Sequence, residues 1–321
     1  MSSVDPSSAP LVSIVIPTYN AERWLAATLE SVFAQSYPNL EIVIVDDEST
    51  DQTPALARTY QNRGVQVIRQ PNRGAASARN HGLRLSRGQF VKFLDADDLL
   101  SPESISQQVA ALSVRPANHL AVGAWARFHE SPQDAVFTPR PGWHDAEALD
   151  WIKETWADTQ PMYQCGLFLI PRSLLEIAGG WDERLSLVDD FEFFTRLVLA
   201  SSGIVFTPEA RLYYRSGIPG SLSARKSRRA WESARLSTTL AVAHLLSRED
   251  SAATRRLSAD MLQLLVYELY PAHASLSPDL IQEIRRLGGS ARLPDGGPTF
   301  KRLTRLIGWK LARRLQSFRA S

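Results

Sequence analysis

The chain has 321 residues, 44% of them hydrophobic and 22% charged, which excludes a disordered or fibrous polypeptide and leaves room for one large domain or two ordinary ones. Lys plus Arg number 36 against 34 Asp plus Glu, and a formal charge of +2 is too small for a protein whose whole surface grips nucleic acid. That balance is segregated: residues 301–321 hold seven basic residues (Lys301, Arg302, Arg305, Lys310, Arg313, Arg314 and Arg319) and no acid, so residues 1–300 carry 2 − 7 = −5.

In chain order, the Ser/Pro-rich leader of residues 1–10 reads as a flexible end, and with the short apolar run after it lacks the basic n-region and hydrophobic length of a signal peptide. Residues 11–17 are a β-branched run of the kind that forms a strand buried on both faces. Residues 21–35 set Trp24, Leu25, Leu29, Val32 and Phe33 at helical spacing and stop at Ser36-Tyr37-Pro38-Asn39. The rhythm repeats with a strand at 40–45, a helix at 53–62, a strand at 65–69, a helix at 75–86 and a strand at 89–94. Such alternation predicts a mostly parallel sheet with helices on both faces, a nucleotide-binding half over residues 11–100.

Past residue 100 the pattern loosens into a mixed second half over 101–222. It reads as a helix at 102–112, a strand at 120–128, a Pro-rich excursion at 131–143 and a helix at 146–156. A strand at 167–170, helices at 172–178 and 190–200, and two short strands at 204–206 and 210–214 follow. From about residue 223 the text is helical and Arg-rich: helices near 225–247, 251–270 and 278–288, a Gly/Pro linker at 294–298, and one final helix from about 299. No stretch reaches the roughly 18 apolar residues of a spanning helix.

Ligands of open parallel sheets sit beyond the carboxyl ends of the strands, and the polar clusters fall there. Pro17-Thr18-Tyr19-Asn20 follows the first strand, Asp46-Asp47 the second and Asp95-Ala96-Asp97-Asp98 the fourth. Acids packed at strand ends repel one another unless a cation or hydrogen-bond donors lie between them. An Asp-x-Asp turn offers two carboxylates on one face, oxygen ligands that suit Mg²⁺ or Mn²⁺. Taken singly, each cluster fits the commoner role of turn former and helix N-cap; their order along the chain separates the two readings. The only cysteine, Cys165, excludes an intrachain disulfide and a cysteine-built metal site and fits a reducing, cytoplasmic setting.

Taken in order, Ile14-Val15-Ile16-Pro17-Thr18-Tyr19-Asn20, Val45-Asp46-Asp47-Glu48-Ser49-Thr50-Asp51, Asn72-Arg73-Gly74-Ala75-Ala76-Ser77-Ala78-Arg79-Asn80 and Phe93-Leu94-Asp95-Ala96-Asp97-Asp98 resemble the motifs of family 2 glycosyltransferases. The resemblance covers about residues 11–222. It implies a GT-A fold, an α/β, Rossmann-like, mostly parallel mixed sheet flanked by helices, here with a C-terminal helical extension over 223–321. It further implies a nucleotide-diphosphate sugar donor, typically a UDP-sugar, a divalent cation (Mg²⁺ or Mn²⁺), and inversion at the anomeric carbon. On the same resemblance Pro17, Thr18 and Tyr19 line the base pocket, Asp47 hydrogen-bonds the base, and Asn72 and Ala96 belong to the sugar-nucleotide site. Arg79 approaches the diphosphate, where its fork of donors fits phosphate oxygens. Asp95 faces the ribose or a metal water, and Asp97 binds the metal.

A fifth motif, Gly179-Gly180-Trp181-Asp182-Glu183 with Val188-Asp189-Asp190-Phe191-Glu192-Phe193, resembles the family's acceptor-side signature, in which the second acid is the base; that assigns Asp190. Without the family, Asp189 and Asp190 read as good helix-start residues. Two departures stand out. Glu48 occupies a position where the family usually has Gly, which constrains the turn. Many relatives carry Arg-x-His-x-x-Ser near Tyr214–Ser223 to clamp the diphosphate; here Arg215 remains, Gly217 holds the His position and the segment is one residue longer. Arg215, Ser221 and Ser223 are expected at the phosphates, with Arg225 or Lys226 in place of the imidazole. Trp143, Trp151, Trp156 and Trp181 fall in the acceptor half, where ring faces can stack on a sugar, core packing being the commoner role.

Leu303, Leu306, Ile307, Leu311, Leu315 and Phe318 form one apolar stripe at helical spacing, flanked by Arg302, Arg305, Lys310, Arg313 and Arg314. Two readings stand side by side: an interfacial helix on anionic lipid at the inner face of the cytoplasmic membrane, or an amphipathic helix packed on the domain. Three functional classes compete. The first is an inverting glycosyltransferase acting on a glycan, a lipid-linked glycan or a cell-surface polymer. A nucleotidyltransferase would want a Gly-rich basic phosphate loop where Pro17-Thr18-Tyr19-Asn20 stands. A non-catalytic sugar-nucleotide-binding or scaffold relative is the third, and Asp190 argues against it.

Overall fold

The computed structural model describes residues 9–157, 161–218, 227–294 and 296–320, so most of the leader and the segment 219–226 lie outside the description. Strand β1 (Val12–Thr18) is buried along its whole length, with β2 (Leu40–Asp46) and β4 (Phe90–Phe93) parallel to it on either side. Strand β3 (Gln66–Arg69) adds outside β2, again in parallel. β-Branched runs buried on both faces are what a helix-covered parallel sheet requires. The chain moves outward from β1 to β3 and then returns to place β4 on the other side of β1, so a crevice opens beyond the carboxyl ends of β1 and β4.

The sheet continues through β8 (Phe168–Pro171), β6 (His119–Phe128), β9 (Gly203–Arg215) and β5 (Leu99–Leu100), and β7 (Ala146–Glu147) pairs with the start of β9. Strand β8 is antiparallel to both β4 and β6, and β9 is parallel to β6. The double reversal brings β6 and β9 back to the direction of β1, so six strands (β1, β2, β3, β4, β6 and β9) end on one edge. The two short strands expected at 204–206 and 210–214 are in fact this one strand of 13 residues. Its register against β6 jumps from Gly123↔Thr207 to Ala124↔Arg211, leaving Pro208, Glu209 and Ala210 as a bulge. Proline cannot donate to a ladder, and a bulge absorbs it without ending the strand. Gly123 makes this possible: a Cβ there would lie 2.1 Å from Ala210 O.

Helices α1 (Leu25–Phe33), α2 (Thr53–Thr59), α3 (Ala75–Leu85), α4 (Ser104–Ser113), α5 (Ala148–Ala157), α6 (Arg172–Ala178) and α7 (Asp189–Ala200) follow the expected spans within a few residues. The three C-terminal helices α8 (Arg228–Arg248), α9 (Ala252–Leu269) and α10 (Pro278–Arg286) also form where expected. Ala241, Leu245, Leu262 and Leu265 from α8 and α9 join the core that the sheet residues build. The final helix, expected as one, is two: α11 (Pro298–Ile307) and α12 (Trp309–Ala320), separated by Gly308 at φ +77°, a conformation side chains resist. Among the described residues no helix is long and apolar enough to cross a membrane.

A lysine sits inside this core. Lys92, fully buried in β4, donates to Gln108 Oε1 (2.8 Å), and burial lowers its pKa from 10.5 to about 7. Between those values the unfolded chain holds a proton that the folded chain lacks. Unfolding free energy from urea titrations should therefore climb with pH across that window, and Lys92→Met should flatten the climb.

Candidate active site

The carboxyl ends of the parallel strands carry the polar clusters. Thr18 is buried at the end of β1, Tyr19 is 45% exposed, and Asn20 follows at φ +50° with its Oδ1 accepting from Thr50 N (2.9 Å), which ties this loop to the one after β2. In that second loop Asp46 turns inward: Oδ1 accepts from Ser49 N (3.3 Å) and Oδ2 lies 3.4 Å from Arg69 Nε. Asp47 Oδ1 accepts from Gln70 Nε2 and Arg73 N (2.8 and 3.0 Å), and Oδ2 from Gly74 N (2.8 Å). Of the four or so acceptor positions a carboxylate offers, Oδ2 keeps one in hand. The constraint expected at Glu48 takes a definite form, φ +64°, with Oε2 accepting from Asn72 N (3.1 Å).

The loop after β4 is held from several sides. Thr28 Oγ1 on α1 donates to Ala96 O (2.9 Å). Asp98 is buried, its Oδ1 accepting from Arg215 N (2.9 Å) and its Oδ2 without a partner. Arg215 Nε donates to Asp97 O (3.0 Å) and Nη1 to His129 O (3.2 Å), while Trp24 and Phe128 stack on the guanidinium, each ring centre 4.3 Å from Cζ. Burial first, then the charge of Asp95, pushes Asp97 up to about 7, and no described side chain donates to its carboxylate. Asp95 and Asp97 are hard oxygen donors that repel each other, and Asp97 has no side-chain donor of its own, so they fit a divalent cation that takes its remaining ligands from water and phosphate. Among the described residues no group of three or more His, Cys, Asp or Glu is gathered for a metal, so such a cation would rest on these two carboxylates.

From α3, Arg79 reaches between two elements. Its side chain is 6% exposed; Nη2 pairs with Asp95 Oδ1 (2.7 Å) and Nη1 with Asp189 Oδ2 (2.8 Å), and Cζ stands 4.4 Å from the centre of the Trp181 ring. One cation thus joins the end of β4 to the start of α7. Asp190 comes next on that helix, pushed up to about 7 by burial and then by the charge of Asp189, with Arg79 pulling the other way. Val188, immediately before α7, is left-handed at φ +60° and is fastened by α8. Ser237 Oγ donates to Val188 O (2.5 Å), and Ser233 Oγ accepts from Ser186 N and Leu187 N (2.7 and 3.0 Å). Asn80 brackets Trp181, accepting from its N (2.8 Å) and donating to its O (2.9 Å). Glu192 pairs with Arg196 (2.7 Å) and with His244 Nε2 on α8 (3.0 Å), and Arg196 Nη2 donates to Gly180 O (2.9 Å).

Pro17, Thr18, Tyr19, Asp47, Asn72, Asp95, Ala96, Asp97 and Arg215 thus stand at one edge of the sheet, and Arg79 links them to Asp190's helix. Both Nη atoms of Arg79 are committed to carboxylates. Ser221, Ser223, Arg225 and Lys226 lie outside the described residues. A Cβ on Gly217 (φ +77°) would come within 2.9 Å of His129 Nδ1, so an imidazole from the end of β6 fills the space beside the position where relatives carry their own. His129 escaped the sequence reading, as did Asn80, Ser233, Ser237 and the Glu192–His244 pair; only Asn80, next to Arg79 in the third motif, left a signal. Trp151, Trp156 and Trp181 are buried in packing, and Trp143 stacks on Phe206 at 5.6 Å.

A profile of glycosyl transferase family 2 matches residues 13–176. An uncharacterized glycosyltransferase of Rickettsia typhi is 29% identical over 195 residues, 60% of this chain and 60% of that protein's length. WfgD of Escherichia coli, a UDP-Glc:alpha-D-GlcNAc-diphosphoundecaprenol beta-1,3-glucosyltransferase, is 35% identical over 103 residues, 32% of this chain and 41% of that one. Among solved structures, S. aureus TarS 1–349 in complex with UDP-GlcNAc shares the fold with a TM-score of 0.70, covering 86% of this chain and 82% of that chain at 21% identity.

Removing the shared cation should be severe. Arg79→Met strips the counter-charge from Asp189, 14% exposed, and from Asp95, 33% exposed, and urea unfolding should show a loss of about 3 kcal/mol, the low end for a broken buried pair. Arg79→Lys, which keeps the charge, should lose less.

Proposed function

Because the chain belongs to glycosyl transferase family 2 and has the GT-A fold, we propose that it moves a sugar from a nucleotide-diphosphate sugar, by preference a UDP-sugar, to a hydroxyl of a glycan, lipid-linked glycan or cell-surface polymer, with inversion. The glucosyltransferase activity of WfgD and the UDP-GlcNAc bound by TarS support that choice of donor and acceptor class. In this reading residues 11–100 take the nucleotide, 101–222 complete the GT-A unit around the acceptor, and 223–321 form the helical region that supports it. A cytoplasmic setting suits a chain whose one cysteine is a buried free thiol.

Pro17, Thr18 and Tyr19 flank the base, and the remaining acceptor position of Asp47 takes a base N–H. Asn72 and Ala96 complete the pocket. Asp95 and Asp97 hold Mg²⁺ or Mn²⁺, which when bound supplies positive charge at the diphosphate as it leaves. Arg215 and His129, beside the same loop, donate to phosphate oxygens, His129 serving where Gly217 lacks an imidazole. Arg79, expected at the diphosphate, acts through Asp95 and Asp189 and sets the donor and acceptor carboxylates against each other. Asp190 removes the proton of the acceptor hydroxyl; that oxygen bonds to the anomeric carbon as the bond to the diphosphate oxygen breaks, and the nucleoside diphosphate departs with the electron pair. A carboxyl held near neutrality suits a base working at physiological pH. The observation that carries the reading is the shared cation: Asp189, adjacent to Asp190, and Asp95 of the donor loop are salt-bridged to one guanidinium.

In a thermal-shift screen of nucleotide sugars with Mn²⁺, the true donor at a hundred times its Kd should stabilise the protein by about 2.7 kcal/mol. Asp190→Asn should keep that shift while transfer falls about 10²–10⁴-fold; undiminished transfer would refute the base assignment. His129→Ala should leave the unliganded protein as stable as before, since the side chain is exposed, and weaken UDP binding measured calorimetrically. Equal affinity would remove His129 from the donor site.

A further inference from the structure

The two last helices present a surface that the transfer reading does not use. Their inner faces are committed to the protein: Phe300 and Ala312 are buried, and Trp309 packs edge-on against Tyr267 and Tyr270, ring centres 4.7 and 5.2 Å apart. Beside these, Leu306, Leu311 and Leu315 are 81, 53 and 50% exposed, and Ile307, seven residues after Phe300 and so at the margin of the packed face, is 38% exposed. These four are concentrated within ten residues, whereas the other exposed large hydrophobics are scattered over the rest of the chain. Lys301, Arg302, Arg305 and Lys310 surround them, all exposed, and none forms an ion pair with a described residue. Residues 301–321 contain no acid that could offset this charge. An apolar row within a cationic rim is complementary to a surface that offers hydrocarbon beneath a plane of negative charge. Neither helix is long and apolar enough to cross a bilayer, so the matching mode is to lie on it.

We propose that α11 and α12 dock the chain on an anionic lipid bilayer, with Leu306, Ile307, Leu311 and Leu315 entering the boundary between headgroups and acyl chains and the four cations meeting lipid phosphates. The two readings of the tail that the sequence left open are then both correct, one for each face. The inference stands on exposure and charge and does not depend on the transfer chemistry.

The full chain should co-sediment with vesicles of mixed phosphatidylcholine and phosphatidylglycerol, and bind vesicles of phosphatidylcholine alone far less. Lys301→Gln/Arg302→Gln/Arg305→Gln should lower the partition coefficient about a hundredfold, at roughly fivefold per charge. Leu306→Ser/Leu311→Ser should lower it at least about tenfold, given the apolar area that each leucine inserts. Both variants alter exposed side chains, so their unfolding midpoints should match the parent. The proposal fails if the parent ignores anionic vesicles, or if either variant binds them as tightly as the parent. It fails equally if sedimentation equilibrium shows a dimer that the leucine variant dissolves while vesicles are not bound, since the face would then join two copies of the chain.

Discussion

A single guanidinium closed between two carboxylates is the contact on which the rest of the site depends. Taking Arg79 and its acids out of water is expensive, and only direct pairing at 2.7 and 2.8 Å makes it tolerable. The position of that charge is inherited from the sheet. Helix α3 lies so close to β1 that a Cβ on Gly82 would come within 2.4 Å of Val15 Cγ1, so the helix carrying Arg79 has no freedom to drift. Beneath the guanidinium, Trp181 stacks on Phe193 at 3.9 Å, which fixes the acceptor-side loop against the same cation. Strand end, helix start and loop are therefore aligned by one charge whose place is set by backbone packing.

The C-terminal helices are part of this arrangement. A helix that begins after a left-handed residue leaves backbone groups in need of partners. Around Val188 those partners are the hydroxyls of Ser233 and Ser237 on α8. The same helix supplies His244 to Glu192, which is 2% exposed, and Glu192 in turn orients Arg196 toward the carbonyls at Ala178 and Gly180. Hydroxyl contacts of this kind fix direction without the desolvation penalty of a further charge. The Arg-rich helical text that looked like an appendage thus shares the core and holds the loop that leads into Asp190's helix.

What was legible in the sequence was local. The β-branched runs of β1 and β2, the strand-helix alternation and the Asp clusters at strand ends need only neighbours within a few residues, and they appear where expected. The helical spacing of Leu306, Leu311 and Leu315 was also visible, but which face would be covered was not, because Tyr267 and Tyr270 lie in a different helix. Pairings across the chain left no trace. Nothing near Arg79 announces Asp189, and nothing near Gly217 announces His129. The break into two strands expected between 206 and 210 falls at Pro208, which cannot donate to a ladder, yet the strand is continuous because Gly123, on another strand, leaves room for the bulge. In each case the deciding group is remote in sequence and close in space.

The bulge in β9 also acts as a ruler. Three residues, Pro208 to Ala210, separate the stretch of β9 paired with the start of β6 from the stretch that runs on to Arg215. Because side chains alternate along a strand, losing or gaining one of them would turn Arg211 through Arg215 over to the opposite faces of the sheet. Arg215 would leave Trp24 and Phe128, and the backbone of the Asp97 loop would lose its anchor. A change of loop length so far from the reacting atoms would then be felt as a change of side-chain parity at the donor edge, and the interval between Thr207 and Arg211 is held to its length by the chemistry at the strand's far end.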